Sequence, residues 1–144
     1  MRFWDTSAVI PLCVSGRSSP KILPLAREDE GIAAWWATVV ECSSAFSRLR
    51  RQGDLQLPDL ERARQVLHQL AEGWSEVAPG PRVREEAIRV LGLHPLRAAD
   101  ALQLAAALVW TDRRAFGRHF VCLDTRLRDA AGAEGFTILP NESP

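Results

Sequence analysis

Cysteine is scarce in this chain of 144 residues, and its spacing offers no staple. Cys13, Cys42 and Cys122 stand far apart inside apolar runs, odd in number and without a C-x-x-C pair. That excludes a disulfide framework and points to reduced, buried thiols in a reducing, cytoplasmic compartment. Long hydrophobic runs are missing too. No segment approaches the ~18 uninterrupted apolar residues of a membrane span, and the start runs straight into a short apolar stretch without a charged leader and cleavage site. The expectation is therefore no membrane and no targeting segment. A surplus of either charge is also absent: 18 Lys+Arg balance 18 Asp+Glu, so no global field draws in a polyanion. Lys21 is the sole lysine among those basic residues. The arginine excess suits bidentate phosphate contacts, and a GC-rich coding bias produces it equally well.

What is present is the composition of one ordinary globular domain, 47% apolar and 25% charged, expected to span 1–144. At this length roughly two-thirds of the unfolded surface can be buried, enough for a core without disulfide or structural metal. Arg2-Phe3-Trp4 reads as a short strand ending at Asp5, followed by a helix over Ala8 to Val14 capped by Thr6 or Ser7. A loop over 15–20 precedes a short helix from Ile22 to Arg27 that contains Pro24. Ile32 to Trp36 is a second strand. From Ala37 to Arg51, Val39, Cys42, Phe46 and Leu49 recur at helical spacing, and Gly53 is a natural stop. Pro58, with Asp59 and Glu61, opens an amphipathic helix reaching Trp74, and Trp74 to Val77 reads as a short extended piece. Pro81 opens another helix, closed by Gly92. Leu96 to Trp110 is apolar almost all round, with Arg97, Asp100 and Gln103 as its polar residues, which predicts a central helix. Phe120 to Leu123 reads as a strand ending at Asp124, Thr125 to Ala131 as a helix, and Phe136 to Leu139 as a last strand. Short apolar strands separated by helices define an α/β layer fold with a mainly parallel sheet covered on both faces.

In such sheets the carboxyl ends of the strands form the ligand crevice, and Asp5 and Asp124 each stand just after a strand. Each also has a plainer use as the cap of the following helix. Asp100 lies in the first turn of a nearly all-apolar helix, where the macrodipole and Arg97 can account for it. Glu41 falls about 120° from the apolar stripe of its own helix, a position that usually means a solvated face or an ion pair. The combination raises all four, because clustered carboxylates repel and call for a cation. Oxygen ligands without nearby His or Cys suit Mg²⁺ or Mn²⁺, and such ions characteristically serve phosphate chemistry. His68, His94 and His119 are scattered and read as surface or loop residues.

Taken in order, Phe3-Trp4-Asp5-Thr6-Ser7-Ala8, Val39-Val40-Glu41-Cys42, the run from Leu96 to Ala107 around Asp100, and Phe120-Val121-Cys122-Leu123-Asp124-Thr125-Arg126-Leu127 resemble the PIN domains. Within that family they resemble the VapC-type ribonuclease toxins of prokaryotic toxin–antitoxin pairs. The resemblance spans essentially the whole chain. It implies a three-layer α/β/α fold around a short, mainly parallel sheet. It also implies Asp5, Glu41, Asp100 and Asp124 as catalytic and metal-binding acids for one or two Mg²⁺ or Mn²⁺ ions, with Thr6 or Ser7 as a supporting hydroxyl. The implied activity is metal-dependent endonucleolytic cleavage of RNA. The implied partners are a second copy of the chain and a small antitoxin whose C-terminal segment covers the active-site groove. Trp4, the Trp35-Trp36 pair and Pro11 depart from the family pattern, and none of them removes an acid.

RNA needs cations outside the acid cluster. Arg97 and Arg126 are the candidates beside the acids, with Arg48, Arg50, Arg51, Arg113, Arg114 and Arg118 further away in sequence. Ile22, Leu23 and Leu25, together with Trp35 or Trp36, are candidates for a dimer surface. A catalytically inactive PIN-like module that only binds protein is the alternative from another class. A phosphoacceptor receiver lacks its paired acids and late lysine, and a haloacid-dehalogenase-like phosphatase lacks its Asp-x-Asp, Ser7 standing where the second Asp belongs.

Overall fold

The computed structural model describes residues 1–141. Within them the chain order is β1 (Arg2–Trp4), α1 (Thr6–Cys13), α2 (Ser19–Glu28), β2 (Ile32–Trp35), α3 (Thr38–Arg51) and α4 (Leu57–Gly73). It continues with β3 (Ser75–Val77), α5 (Pro81–Leu93), α6 (Ala98–Trp110), β4 (His119–Val121), α7 (Thr125–Ala133) and β5 (Thr137–Leu139). The five strands form one sheet in the order β3-β2-β1-β4-β5, every neighbouring pair parallel.

Short strands survive here because both faces of the sheet are buried, which lets nearly every residue be apolar. Successive side chains alternate between faces. Phe3, Ala33 and Phe120 pack with α5, α6 and α7 through Val83, Val90, Leu104, Leu108 and Leu127. Trp4, Ala34 and Val121 pack on the other face with Val9, Ile22, Phe46, Leu60 and Leu67 of α1 to α4. The result is the expected three-layer α/β/α arrangement, its sheet parallel throughout. Trp4 is fully buried, and its indole Nε1 donates to Asp29 Oδ2 at 2.8 Å. A large ring is thereby accommodated at this strand position with its one polar atom satisfied.

Several expected boundaries shift. α1 begins at Thr6 and is capped by Asp5, whose Oδ2 accepts from Ser7 N at 3.0 Å, so Thr6 and Ser7 are helical residues and not the cap. α6 begins at Ala98, with Arg97 at the cap position. Helix α3 ends where expected, Gly53 adopting the left-handed φ of 80° that a side chain resists. The central placement of α6 holds, with Ala101 and every residue from Gln103 to Leu108 buried. Among the described residues no helix is long and apolar enough to cross a membrane.

Two groupings made on sequence are corrected. Ile22 and Trp35 are core residues, 0% and 5% exposed, leaving Leu23 and Trp36 as the exposed members of the proposed dimer surface. The ring of Trp36 packs edge-on against Trp35. His94 lies in a loop as expected but is not a free surface residue, while His119 lies in a strand. The ring of His94 bonds Glu134 at 2.7 Å with its side chain 14% exposed, and His119 opens β4. His68 is the exposed one and pairs with Glu72.

Candidate metal centre at the sheet's carboxyl edge

The strand order reverses direction at β1, with β2 on one side and β4 on the other. Such a switch point opens a crevice at the carboxyl ends of the two diverging strands. Asp5 follows β1 and Asp124 lies three residues beyond β4, so both expected strand-end acids reach this crevice. Their capping roles are real as well. Asp124 Oδ1 accepts from Leu127 N at 2.9 Å at the start of α7, as Asp5 does for α1. Each cap leaves the other carboxylate oxygen outside these cap bonds.

Asp5 is 5% exposed, and burial pushes its carboxyl well above the ordinary range. The hydroxyl and amide of Ser7 and the thiol of Cys122 pull in the opposite direction, while the charge of Asp100 adds to the rise. A relay of short contacts holds it in place. Leu123 N donates to Ser7 Oγ at 2.9 Å, Ser7 Oγ lies 3.6 Å from Cys122 Sγ, and that sulfur lies 3.7 Å from Asp5 Oδ2. Ser7 thus stitches α1 to the segment that follows β4.

Asp100 reaches the same crevice from the first turn of α6. Burial raises its pKa, the charge of Asp124 raises it further, and Arg97 and Arg126 oppose both. Arg97 therefore acts on Asp100 through its field, and no ion pair within 4 Å joins the two. Glu41 departs from its expected place on a solvated face. It accepts from Thr6 Oγ1 at 3.2 Å and from Gln103 Nε2 at 3.2 Å, and burial raises its pKa while Asp5 and Asp100 add to the rise. All four acids identified on sequence are thus brought into one electrostatic neighbourhood.

Gln103 is the site residue that sequence reasoning passed over. It is fully buried, and its Nε2 donates to Thr6 Oγ1 at 2.9 Å and Thr38 Oγ1 at 3.1 Å as well as to Glu41. One amide therefore joins α6, α1 and α3. Its Oε1 is buried without any hydrogen-bond partner, an arrangement that typically costs about 1–3 kcal/mol. The signal was present, since Gln103 stands three residues after Asp100 on the same side of an otherwise apolar helix.

Beside the acids opens a cleft of about 460 Å³ lined by Arg97, Asp100, Asp124, Thr125 and Arg126. The more distant arginines lie elsewhere. Arg113, Arg114 and Arg118 precede β4 and so occupy the amino edge of the sheet, where Arg113 pairs with Glu86 at 3.2 Å and Arg118 stacks on Trp110 at 4.4 Å. Arg48, Arg50 and Arg51 sit in the last turn of α3, which starts beside the acids and runs away from them.

The donor set suits a hard divalent cation, being all oxygen with its buried member, Asp5, in need of countercharge. Among the described residues no three His, Cys, Asp or Glu side chains converge tightly enough to bind one ion together. Mg²⁺ tolerates such a site, because it usually keeps several waters and takes one or two carboxylates.

A parallel α/β/α domain with a carboxylate cluster at its switch point is the class that fold and site define. No protein-family model matches the chain, and no curated protein matches it in sequence. Solved structures do match. A toxin–antitoxin complex from Klebsiella pneumoniae superimposes with a TM-score of 0.59 at 16% identity, over 88% of this chain and 88% of that one. PAE2754 from Pyrobaculum aerophilum gives 0.64 at 18% identity over 96% and 88%, and FitAcB from Neisseria gonorrhoeae 0.64 at 15% over 97% and 97%. The chain is similar to these proteins in fold over nearly its whole described length.

Proposed function

We propose that this protein is a metal-dependent endoribonuclease and the toxin of a type II toxin–antitoxin pair. The observation that carries the reading is the gathering of four acids at the switch-point crevice, Asp5, Glu41 and Asp100 in electrostatic contact and Asp124 joined to them through Asp100, with Asp5 buried. The resemblance to VapC-type toxins and the fold shared with a toxin–antitoxin complex support it.

Asp5, Asp100 and Asp124 would hold Mg²⁺ or Mn²⁺, as one or two ions, in part through the ion's own waters, and Glu41 would join them directly or through water. A divalent ion bound there supplies positive charge for the phosphate oxygens and acidifies water. The chain supplies the rest. Arg97 and Arg126 flank the cleft and meet the phosphates on either side of the scissile bond, while Thr125 lines its wall. Thr6 and Ser7 serve as positioning hydroxyls for Glu41 and Asp5, each engaged with protein groups. The partners in this reading are RNA, a small antitoxin that covers the crevice, and a second copy of the chain.

A PIN-like module that binds protein without cutting is the second reading, favoured by the absence of a tight three-ligand cluster among the described residues. Cleavage of a panel of structured RNAs with Mg²⁺, with Mn²⁺ and with EDTA, run beside Asp5→Asn and Asp100→Asn, separates the two. Metal-dependent cleavage lost in both folded variants establishes the nuclease. No cleavage together with no metal-dependent thermal shift favours the binding module.

A further inference from the structure

We infer that Gln103 is a positioning residue of the acid site, a clamp from α6 that sets where Glu41 and Thr6 stand relative to Asp100. The inference rests on the nuclease reading for its catalytic consequence and on geometry for the clamp itself.

Three observations lead to it. The Gln103 side chain is 0% exposed in a helix whose other buried residues from Ala101 to Leu108 are all Ala or Leu, so packing alone would be served by an apolar side chain of the same length. Its amide nitrogen meets three acceptors on two other helices: Thr6 Oγ1 at 2.9 Å, Thr38 Oγ1 at 3.1 Å, and Glu41 Oε1 at 3.2 Å with Oε2 at 3.4 Å. Its carbonyl oxygen is left buried and unpartnered, so the position is not optimised for stability. A residue kept at a stability penalty, with every donor aimed at one site, is what a functional second layer looks like.

The orientation of the amide follows from Glu41. A carboxylate offers only acceptors, so the group facing it must be Nε2, and Oε1 is turned away. Thr6 completes the arrangement, accepting from Gln103 and donating to Glu41 Oε1 at 3.2 Å. Glu41 is therefore held from one amide along two routes, a shared N–H of Gln103 and the Thr6 hydroxyl, and its carboxylate cannot swing without losing both. Asp100 rides on the same helix one turn earlier, so the clamp fixes the separation between the acid of α3 and the acid of α6.

Gln103→Met tests this, since it preserves length and approximate volume while removing both the donor and the orphan acceptor. The expected result is a folded protein whose melting temperature falls little, relief of the orphan acceptor offsetting part of the cost of the donor bonds lost at Thr38 and Glu41. Alongside it we expect Mn²⁺ affinity, measured by calorimetry with the metal alone, to weaken about 10-fold or more, the usual size of a second-layer loss. In RNA cleavage kcat should fall with little change in KM. Parental Mn²⁺ affinity and kcat in a folded Gln103→Met protein would overturn the inference, as would a loss that only tracks the unfolded fraction.

A readout that needs neither metal nor RNA keeps the clamp separate from the nuclease reading. The side-chain amide protons of Gln103, followed by NMR, should be protected from solvent exchange in the parent protein and should shift on Glu41→Gln and on Thr6→Ala. Should the parent protein neither bind Mn²⁺ nor cut RNA, the nuclease reading fails while these protons still decide the clamp. Rapid exchange, or no response to either substitution, overturns it.

Discussion

The indole Nε1 of Trp4 and Oδ2 of Asp29 are 2.8 Å apart, joining the central strand to the residue that ends α2. The Asp29 side chain is 1% exposed and also receives Gly31 N at 3.2 Å through Oδ1. Trp4→Phe keeps an aromatic ring in the core but strands one oxygen of a buried carboxylate. We expect a loss of about 2–4 kcal/mol, combining a smaller ring with an unmade bond to a charged group. Urea unfolding of the two proteins measures it, and an unchanged midpoint would show the bond contributes nothing.

Asp5, Glu41 and Asp100 all have raised pKa values, first because they are buried and then because each faces another acid, which for Asp100 is Asp124. A raised folded-state value means the folded protein binds protons more readily than the unfolded chain. The penalty is absent below the unfolded values, 3.8 for Asp and 4.5 for Glu, and is fully present above the folded-state values. Asp100→Asn should therefore raise the melting temperature at pH 7, each kcal/mol recovered being worth roughly 3–6 °C in a domain of this size. Asp5→Asn should do likewise, since Asn caps a helix as well as Asp. The advantage should vanish in acid. Under the metal-site reading, millimolar Mn²⁺ should stabilise the parent protein and leave both variants unmoved.

Glu134 is shifted the other way. Arg89 and His94 both hydrogen-bond its carboxylate and outweigh the effect of burial, so its pKa is lowered. A lowered carboxylate contributes stability above its unfolded value of 4.5 and loses it as pH falls through the folded value. Glu134→Gln should cost about 1–3 kcal/mol at pH 7, because a guanidinium and an imidazole lose a charged acceptor. As pH falls from 4.5 through the lowered folded-state value the two proteins should converge. Chemical unfolding across pH 3 to 8 tests the sign directly, and a difference that grows in acid would contradict it.

How far the sequence discloses these features depends on whether the deciding contact is local. Asp5 and Asp124 stand out because each follows a short apolar run, Phe3-Trp4 and Phe120 to Leu123, and Asp100 because it interrupts a helix that is otherwise almost entirely apolar. The parallel layers follow from the same alternation of short apolar runs with helices. Glu41 is misplaced by its helical wheel, because the wheel sees the stripe that α3 turns to the sheet and not the side that α1 and α6 approach. Gln103 carries its meaning only once Thr6, Thr38 and Glu41 are known to surround it, and they lie 62 to 97 residues away in the chain. The pairing of His94 with Glu134, 40 residues apart, is hidden for the same reason. Ile22 and Trp35 mislead because an apolar residue on a short element reads alike whether it faces a core or a partner.

Burial accounts for the behaviour expected of the thiols. Cys13 is pushed up to about 12, and Cys42 and Cys122 are raised as well, in each case first by burial. A thiol so raised is almost never thiolate at pH 8, and Cys42 and Cys122 are also fully buried. Modification by a disulfide reagent should be slow in the native state and complete in denaturant. Rapid reaction of even one thiol in the folded protein would contradict this.

Arg97 and Arg126 line the cleft and are also the two groups that hold the pKa of Asp100 down. Their replacement therefore has two separable consequences in the nuclease reading. Loss of a phosphate contact raises KM, by about 2–5-fold for an exposed charge, and flattens the dependence of KM on salt. Loss of the positive field makes the Asp100 carboxylate harder to ionise. Activity that requires this carboxylate charged should then need a higher pH, so the acid limb of the rate profile moves upward in Arg97→Ala and Arg126→Ala. Arg126→Gln removes the charge but keeps a hydrogen-bond donor. It should reproduce the pH shift in full while recovering part of the KM, because the field depends on charge and the contact only partly so. A KM effect with an unmoved acid limb would show that the arginines touch RNA without tuning the acid.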